Sequence, residues 1–513
     1  MPVSCRPLVS TVHRRALLEA AAGLLLCAIG YYLGHRESYE VRTVVATAGG
    51  CNMPTDIYEA RSGTPMGVVV LLHGLSANKK VMAFNAQEFA NQDLRVLVPD
   101  LPGHGKTPGP FSPARVEYCA ESFVRDLAAR KAIIPERTLL IGHSMGGAIA
   151  ARVAAHISVA GVIAISPAPM HPAPGFAPEV LLFSTPPPLA PHSLVLSAEW
   201  DPQAVKHIAQ DLVTQSADPS NKYAVVPATS HVSVLFAPAT FQSMRAWTSQ
   251  VLGTNSLAPL PTNFPVLGCV LGLLGLSVLA RPFLREMTAS GPASLGDHSG
   301  PRPPFFRTAI ALAIFSLLAV ALLRWFVPFN FLRVFQGGYL ASFLFLIGMA
   351  MLVFHRENFP APKTFFDAST AFGSAAAILL FLLFAAWFEL TFYEAWLTPA
   401  RWLRFPLLVL LFLPYHLAEE SFLGIPSANS RLRRLLYFFA YRGILWLILV
   451  VAILYLHSAQ FAFVLLVIYF VLFSLLQRLA TDVIRDRTRS VPAAAVFGAI
   501  LLTAFVLAIL PIA

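Results

Sequence analysis

From residue 264 onward the chain is a succession of apolar runs: 264–280, 305–327, 334–354, 368–391, 403–417, 436–457, 459–477 and 491–512. Each approaches the ~20 residues a helix needs to cross a bilayer core, the run at 403–417 being the shortest. Hydrophobic residues make up 56% of the chain and charged residues 12%, whereas an ordinary soluble domain carries about 25% charged residues. So little charge cannot cover so much apolar surface in water, and a polytopic membrane region is expected over 264–513. A ninth run, 16–34, follows Arg6, Arg14 and Arg15. It reads as an uncleaved anchor rather than a signal peptide. It exceeds the ~7–15-residue apolar core of a signal, and Tyr31, Tyr32 and Leu33 stand where small residues would mark cleavage.

The net charge of +10 raises the question of nucleic acid. The basic residues argue against it: they sit in short clusters beside apolar runs, with no basic stripe and no interleaved aromatics. The clusters are Arg6/Arg14/Arg15, Arg281/Arg285/Arg302/Arg307, Arg356/Lys363, Arg431/Arg433/Arg434 and Arg478/Arg485/Arg487/Arg489. They fall in alternate loops of a nine-span arrangement, as the positive-inside rule requires. The N-terminus is then cytoplasmic and residues 38–252 lie outside, on a protein of the plasma or inner membrane. The five cysteines, Cys5, Cys27, Cys51, Cys119 and Cys269, form neither a metal knuckle nor a disulfide framework. Cys51 and Cys119 are read as unpaired thiols; a bond between them requires an extracytoplasmic setting.

Residues 38–252 have a different texture. Short β-rich runs at 41–47, 55–59, 67–72, 95–98, 138–141, 160–165, 193–196 and 223–226 alternate with helical patterns, the longest at 113–132 and after Ser144. That alternation predicts an α/β domain with a mainly parallel sheet. The division is 1–37 cytoplasmic N-terminus and anchor, 38–252 α/β domain, 253–263 linker, and 264–513 an all-α membrane region.

Within the α/β domain, Gly142-His143-Ser144-Met145-Gly146-Gly147 follows an apolar strand and precedes an Ala-rich helix. This strand–turn–helix setting gives the G-x-S-x-G pattern its meaning: the glycines permit a sharp turn that lifts the Ser144 hydroxyl above the sheet. A hydroxyl is a weak nucleophile, so a base must take its proton. His231 follows the last predicted strand and suits that role. Asp201 follows the strand 193–196 and suits the acid that orients His231. Glu199 is the rival acid. His207 lies on a predicted helix, His171 and His192 lie in a Pro-rich stretch, and His143 reads as packing under the turn. A tetrahedral intermediate also needs donors. These are assigned to the backbone N–H groups of Met145 and of Leu75, the latter beside His73-Gly74, where glycine allows close approach.

Taken together, His73-Gly74, Asp100-Leu101-Pro102-Gly103-His104-Gly105, Gly142–Gly147, Asp201 and His231 resemble the α/β-hydrolase superfamily, in particular its monoacylglycerol lipase and serine aminopeptidase branch. The resemblance covers about 41–252. The set is specific for the fold and carries no substrate over; it implies a serine hydrolase, and with the apolar runs the expectation is a membrane-bound enzyme that cleaves an ester through an acyl-enzyme, with no cofactor and no metal. Tethering of the domain at both ends points to a lipid or other amphiphilic ester as partner. An aminopeptidase, an acyltransferase, or a transporter or sensor with a ligand-binding hydrolase-like domain are the alternatives. The sequence leaves oligomeric state open. One departure from the family is the interval 167–192, Pro-rich with little helical pattern, which reads as a short irregular cap holding Phe176, Leu181, Leu182 and Phe183. In the membrane region, Glu389 and Glu394 fall near the outer end of the fifth span. His416, Glu419 and Glu420 share one helical face, which could bind a metal or a proton; the carboxylate pair is read as marking the sixth span's cytoplasmic end.

Overall fold

The computed structural model describes residues 8–36, 39–60, 63–170, 181–216, 218–289, 304–325, 331–424, 431–456 and 460–513. The chain divides into two compact units. Unit 1 is Met1–Arg36, Phe264–Thr391 and Ala395–Ala508; unit 2 is Glu37–Asn263, Phe392–Glu394 and Ile509–Ala513. Helix α1 (Leu8–Gly34) belongs to unit 1.

Unit 2 is built on an eight-stranded sheet: β1 (Val41–Ala48), β2 (Cys51–Tyr58), β3 (Gly67–Leu72), β4 (Leu94–Pro99), β5 (Thr138–His143), β6 (Gly161–Ile165), β7 (Ser193–Ala198) and β8 (Lys222–Val226). The spatial order is β1-β2-β4-β3-β5-β6-β7-β8. The strands from β4 to β8 run parallel, and β2 pairs antiparallel with both β1 and β4. Among the described residues, five α-helices complete the unit: α2 (Ala83–Ala90), α3 (Pro113–Ala129), α4 (Met145–Ala154), α5 (Gln203–Thr214) and α6 (Pro238–Leu252). β3, β5, β6 and β7 are buried along their whole length, which is why they read as continuous apolar runs rather than alternating ones. β2 begins at Cys51, earlier than the run 55–59 suggested. Ala48 stands opposite Cys51 across a two-residue turn, and this hairpin extends the strand backward through residues of mixed polarity.

The cysteine reading needs correction: Cys51 and Cys119 form a disulfide, with their Cα atoms 5.8 Å apart. Helix α3 buries the stripe Val116, Cys119, Ala120, Phe123 and Val124, and packs this face against β1. The i, i+3, i+4 spacing thereby delivers Cys119 to the hairpin from which Cys51 emerges. Two short pieces that hydropathy grouped with the spans also belong to unit 2. Ile512 exchanges backbone hydrogen bonds with the loop after β4: its N–H donates to the Gly103 carbonyl, and its own carbonyl accepts from Phe111. The second piece, Phe392–Glu394, is anchored by Tyr393 and Glu394 on the loop after β3.

Unit 1 is helical. Besides α1 it contains α7 (Phe264–Ala289), α8 (Phe305–Trp325), α9 (Gly337–Phe354), α10 (Ala368–Thr391), α11 (Pro399–Leu423), α12 (Arg431–Tyr455), α13 (Ala462–Thr488) and α14 (Val491–Ile509). Among the described residues, nine helices are long and apolar enough to cross a membrane, in step with the nine runs read from hydropathy. α1 and α7 approach at small residues. A Cβ on Gly30 would lie 2.6 Å from the Gly268 carbonyl oxygen, and one on Gly268 would lie 2.5 Å from that of Gly30.

Glu419 and Glu420 lie in the last turn of α11, which ends at Leu423, and both carboxylates are buried in ion pairs, Glu419 with Arg442 (2.6 Å) and Glu420 with Arg478. His416 lies 3.3 Å from Glu419. One reading of this region changes: Arg478 and Arg485, counted among loop residues, lie within α13 and are buried. Such charges persist in an apolar bundle only when partners on neighbouring helices satisfy them.

Candidate active site

The site lies where the parallel strands end at their carboxyl edge, the usual place for chemistry on such a sheet. Ser144 falls between β5 and α4 with φ 52° and ψ −117°. This conformation is unfavourable for a residue with a side chain and is held by its surroundings. The Ser144 N–H donates to the Ile165 carbonyl at 2.9 Å, and the Ser144 carbonyl accepts from Ala148 and Ala168. The flanking glycines are obligatory. A Cβ on Gly142 would stand 2.2 Å from Gly146, and one on Gly146 would stand 2.2 Å from the Leu72 carbonyl oxygen. Only a chain bare at both positions can turn this tightly against β3.

The structure brings Ser144, His231 and Asp201 together. His231 Nε2 lies 3.0 Å from Ser144 Oγ, and His231 Nδ1 lies 2.8 Å from Asp201 Oδ1. Ser144 and His231 are partly exposed, whereas the Asp201 carboxylate is buried. Its other oxygen accepts from Ser166 Oγ at 2.7 Å and from the Ala198 N–H at 3.1 Å. Burial alone would raise the Asp201 pKa, but the bond to His231 and these further donors outweigh it and hold the carboxyl below its ordinary value. The rival acid Glu199 is engaged elsewhere, accepting from the Ala228 N–H at 2.6 Å. His207 lies exposed on α5, and His192 is exposed in the turn before β7.

Two residues support the site in ways the sequence did not reveal. Ser166 follows β6, between the strands that deliver Ser144 and Asp201, and that adjacency in the strand order is the signal that could have found it. His143 has its Nε2 2.7 Å from the His231 carbonyl oxygen. A carbonyl only accepts, so Nε2 carries the proton. Burial, with the facing His231, pushes the His143 pKa down to about 3, so this ring is a neutral donor that fixes the backbone of the His231 loop.

Met145 is the first residue of α4, so its N–H has no partner within the helix. Leu75 lies on the loop after β3, beside Gly74. A Cβ on Gly74 would lie 3.2 Å from Ser144 Cβ and 2.9 Å from His143 Nδ1, so this loop is packed directly on the turn bearing Ser144. His73 holds the loop in place. Its Nε2 accepts from the Leu101 N–H at 3.0 Å, and its Nδ1 lies 2.9 Å from the Gly74 carbonyl oxygen. Of the expected cap, residues 171–180, with His171 and Phe176, lie outside the described residues; Phe183 is buried beneath the Arg152 guanidinium. Among the described residues no cluster of side chains with metal-binding composition occurs.

Sheet order, elbow and loop placement define an α/β-hydrolase domain. Residues 69–289 match the model of the alpha/beta hydrolase family. The chain is 36% identical over 100 residues to protein phosphatase methylesterase 1 of Mus musculus, a stretch that is 18% of this chain and 25% of that protein. It is 35% identical over 127 residues to the magnesium-chelatase 30 kDa subunit of Rhodobacter capsulatus, covering 23% of this chain and 41% of the relative. The matches thus span well under half of either relative's length. Among solved structures, a thermophilic esterase from Thermogutta terrifontis aligns at 18% identity and a TM-score of 0.32, over 41% of this chain and 99% of its own.

Proposed function

We propose that this protein is a membrane-bound serine hydrolase that cleaves a carboxylic ester, of a lipid or other amphiphile, through an acyl-enzyme. The observation that carries the proposal is the continuous contact from Ser144 Oγ to His231 Nε2 to Asp201 Oδ1, at 3.0 and 2.8 Å. His231 takes the Ser144 proton as the oxygen attacks the ester carbonyl. Asp201 stabilises the imidazolium that forms. The N–H groups of Met145 and Leu75 donate to the oxyanion. Collapse of the tetrahedral intermediate expels the alcohol, which receives the proton from His231. Water, deprotonated by the same imidazole, then attacks the acyl-serine and releases the acid.

Three features favour the substrate and setting. The name of the mouse relative specifies an ester as what that protein acts on. Apolar helices flank the hydrolase unit in the sequence, at Leu8–Gly34 and Phe264–Ala289, which keeps its site near bilayer-borne molecules. The Cys51–Cys119 disulfide suits an oxidising, extracytoplasmic compartment, in line with the loop charges.

The test is labelling of the full-length protein in native membranes with a fluorophosphonate, which phosphonylates an activated serine with loss of fluoride. Wild type should label and Ser144→Ala should not; labelling that persists in Ser144→Ala refutes the nucleophile. Lipid profiling of the same pair of strains then identifies the ester that accumulates.

A further inference from the structure

The loop that carries Leu75 is tied down by residues from a remote part of the sequence. The tripeptide Phe392–Glu394 lies between α10 and α11 in the chain, yet belongs to unit 2. Tyr393 Oη donates to the carbonyl of Ser76, the residue after Leu75, at 2.9 Å. The Glu394 carboxylate forms an ion pair with Lys79 Nζ, four residues past Leu75, and Lys106 Nζ approaches the same carboxylate at 3.7 Å. Lys79 is in turn fixed by Asp100, which accepts from its N–H at 2.9 Å and from its Nζ at 3.0 Å. Phe392 packs its ring 6.4 Å from Phe84 and 5.8 Å from Phe236, the latter ending the short helical turn just after His231.

This arrangement is costly, which is why it calls for a function. Lys79, Asp100 and Glu394 are almost wholly buried, with side-chain exposures of 3%, 0% and 2%. Burial and the neighbouring Asp100 push Glu394 up to about 7, with Lys79 pulling the other way. Buried ion pairs of this kind often add little stability over an apolar replacement of similar volume, while removing one partner is costly because the other is left buried and unpaired. The loop they hold needs defining. Ser76 sits at φ 60°, a left-handed conformation that a non-glycine residue keeps only when its surroundings impose it. The space around the clamp is also filled, since a Cβ on Gly105 would stand 2.5 Å from both Asp100 and Glu394.

We propose that Tyr393 and Glu394 are positioning residues for the oxyanion-binding loop, holding the Leu75 N–H in register with Ser144. The inference rests on the serine-hydrolase reading and extends it to residues more than 300 positions along the chain from the loop they serve. A donor that drifts from the developing oxyanion costs transition-state stabilisation but not ground-state binding, so the effect falls on kcat.

The test uses the full-length protein in detergent, comparing wild type with Tyr393→Phe, which removes one hydroxyl, and Glu394→Ala. Kinetics on a p-nitrophenyl ester are read beside hydrogen–deuterium exchange. Each variant should lose about ten-fold or more in kcat with KM within about three-fold, below the ~10²–10³ that follows complete loss of one oxyanion donor. Amide exchange across residues 73–79 should rise at least about ten-fold while that of β5 and α4 stays unchanged. Wild-type kcat and wild-type protection in Tyr393→Phe overturn the proposal, even where Glu394→Ala fails to fold. If the wild type labels at Ser144 and both variants match it, the positioning role alone is lost. If the wild type shows no Ser144-dependent labelling, the hydrolase reading falls and the oxyanion role with it.

Discussion

Replacing both Cys51 and Cys119 with alanine removes a covalent link that closes a loop across 68 positions, from the start of β2 to the middle of α3. In the chain-entropy account, releasing such a loop returns about 15 cal/mol/K to the unfolded ensemble, or about 4 kcal/mol at 25 °C. Both cysteines are buried, at 3% and 0% exposure, so truncating them adds a packing loss. For a domain of this size each kcal/mol moves the midpoint by roughly 2–4 °C, and a fall of about 10–15 °C is expected. The assay is pulse proteolysis of the full-length protein across a temperature series, with mass spectrometry following peptides from residues 63–170 so that unit 2 alone is read. Chemically reduced wild type separates the crosslink from the packing loss. Alkylation provides the covalent check: Cys27 and Cys269 should react in denaturant without reductant, and Cys51 and Cys119 only after reduction. Alkylation of Cys51 or Cys119 before reduction refutes the bond. A midpoint shift below about 3 °C in the double variant refutes the argument that the bond constrains the unfolded chain.

Other outcomes follow from the same geometry. Asp201→Asn should lower kcat by about 10³–10⁴, whereas Glu199→Gln, whose carboxylate serves the Ala228 backbone, should stay within about three-fold; equal losses would reassign the acid. Asp201 is held below its ordinary pKa, so its contribution to stability is complete above the unfolded value of ~3.9 and is lost as pH falls through the lower folded value. Acid unfolding of unit 2 should therefore flatten in Asp201→Asn, and an unchanged acid limb would contradict the linkage. In unit 1, Arg442→Met strands the buried Glu419 and should cost about 3–5 kcal/mol, most of it recovered when Glu419→Met is added. An additive double variant, read from thermal stability in detergent, would show that the pair is not coupled.

Much of this protein is legible in one dimension because the forces concerned act locally along the chain. A span declares itself through about twenty consecutive apolar residues, a buried parallel strand through a short apolar run such as Gly67–Leu72, and the sharp strand-to-helix turn through Gly142 and Gly146 on either side of Ser144. Ser144, Asp201 and His231 could be singled out in the sequence because each follows a recognisable strand, and the structure brings the three together. What the sequence misjudged or passed over depends on partners brought together by folding alone. Cys51 meets Cys119 because a helix stripe faces a hairpin. Glu419 and Glu420, in the last turn of α11, are ion-paired rather than solvated because Arg442 and Arg478 reach them from other helices. Ser166 reaches Asp201 and His143 reaches the His231 carbonyl through strand adjacency, and Glu394 finds Lys79 across 315 positions. An ion pair or hydrogen bond leaves no periodic trace in either of its two segments, so only the tertiary structure could decide which charges are solvated and which hold the site in place.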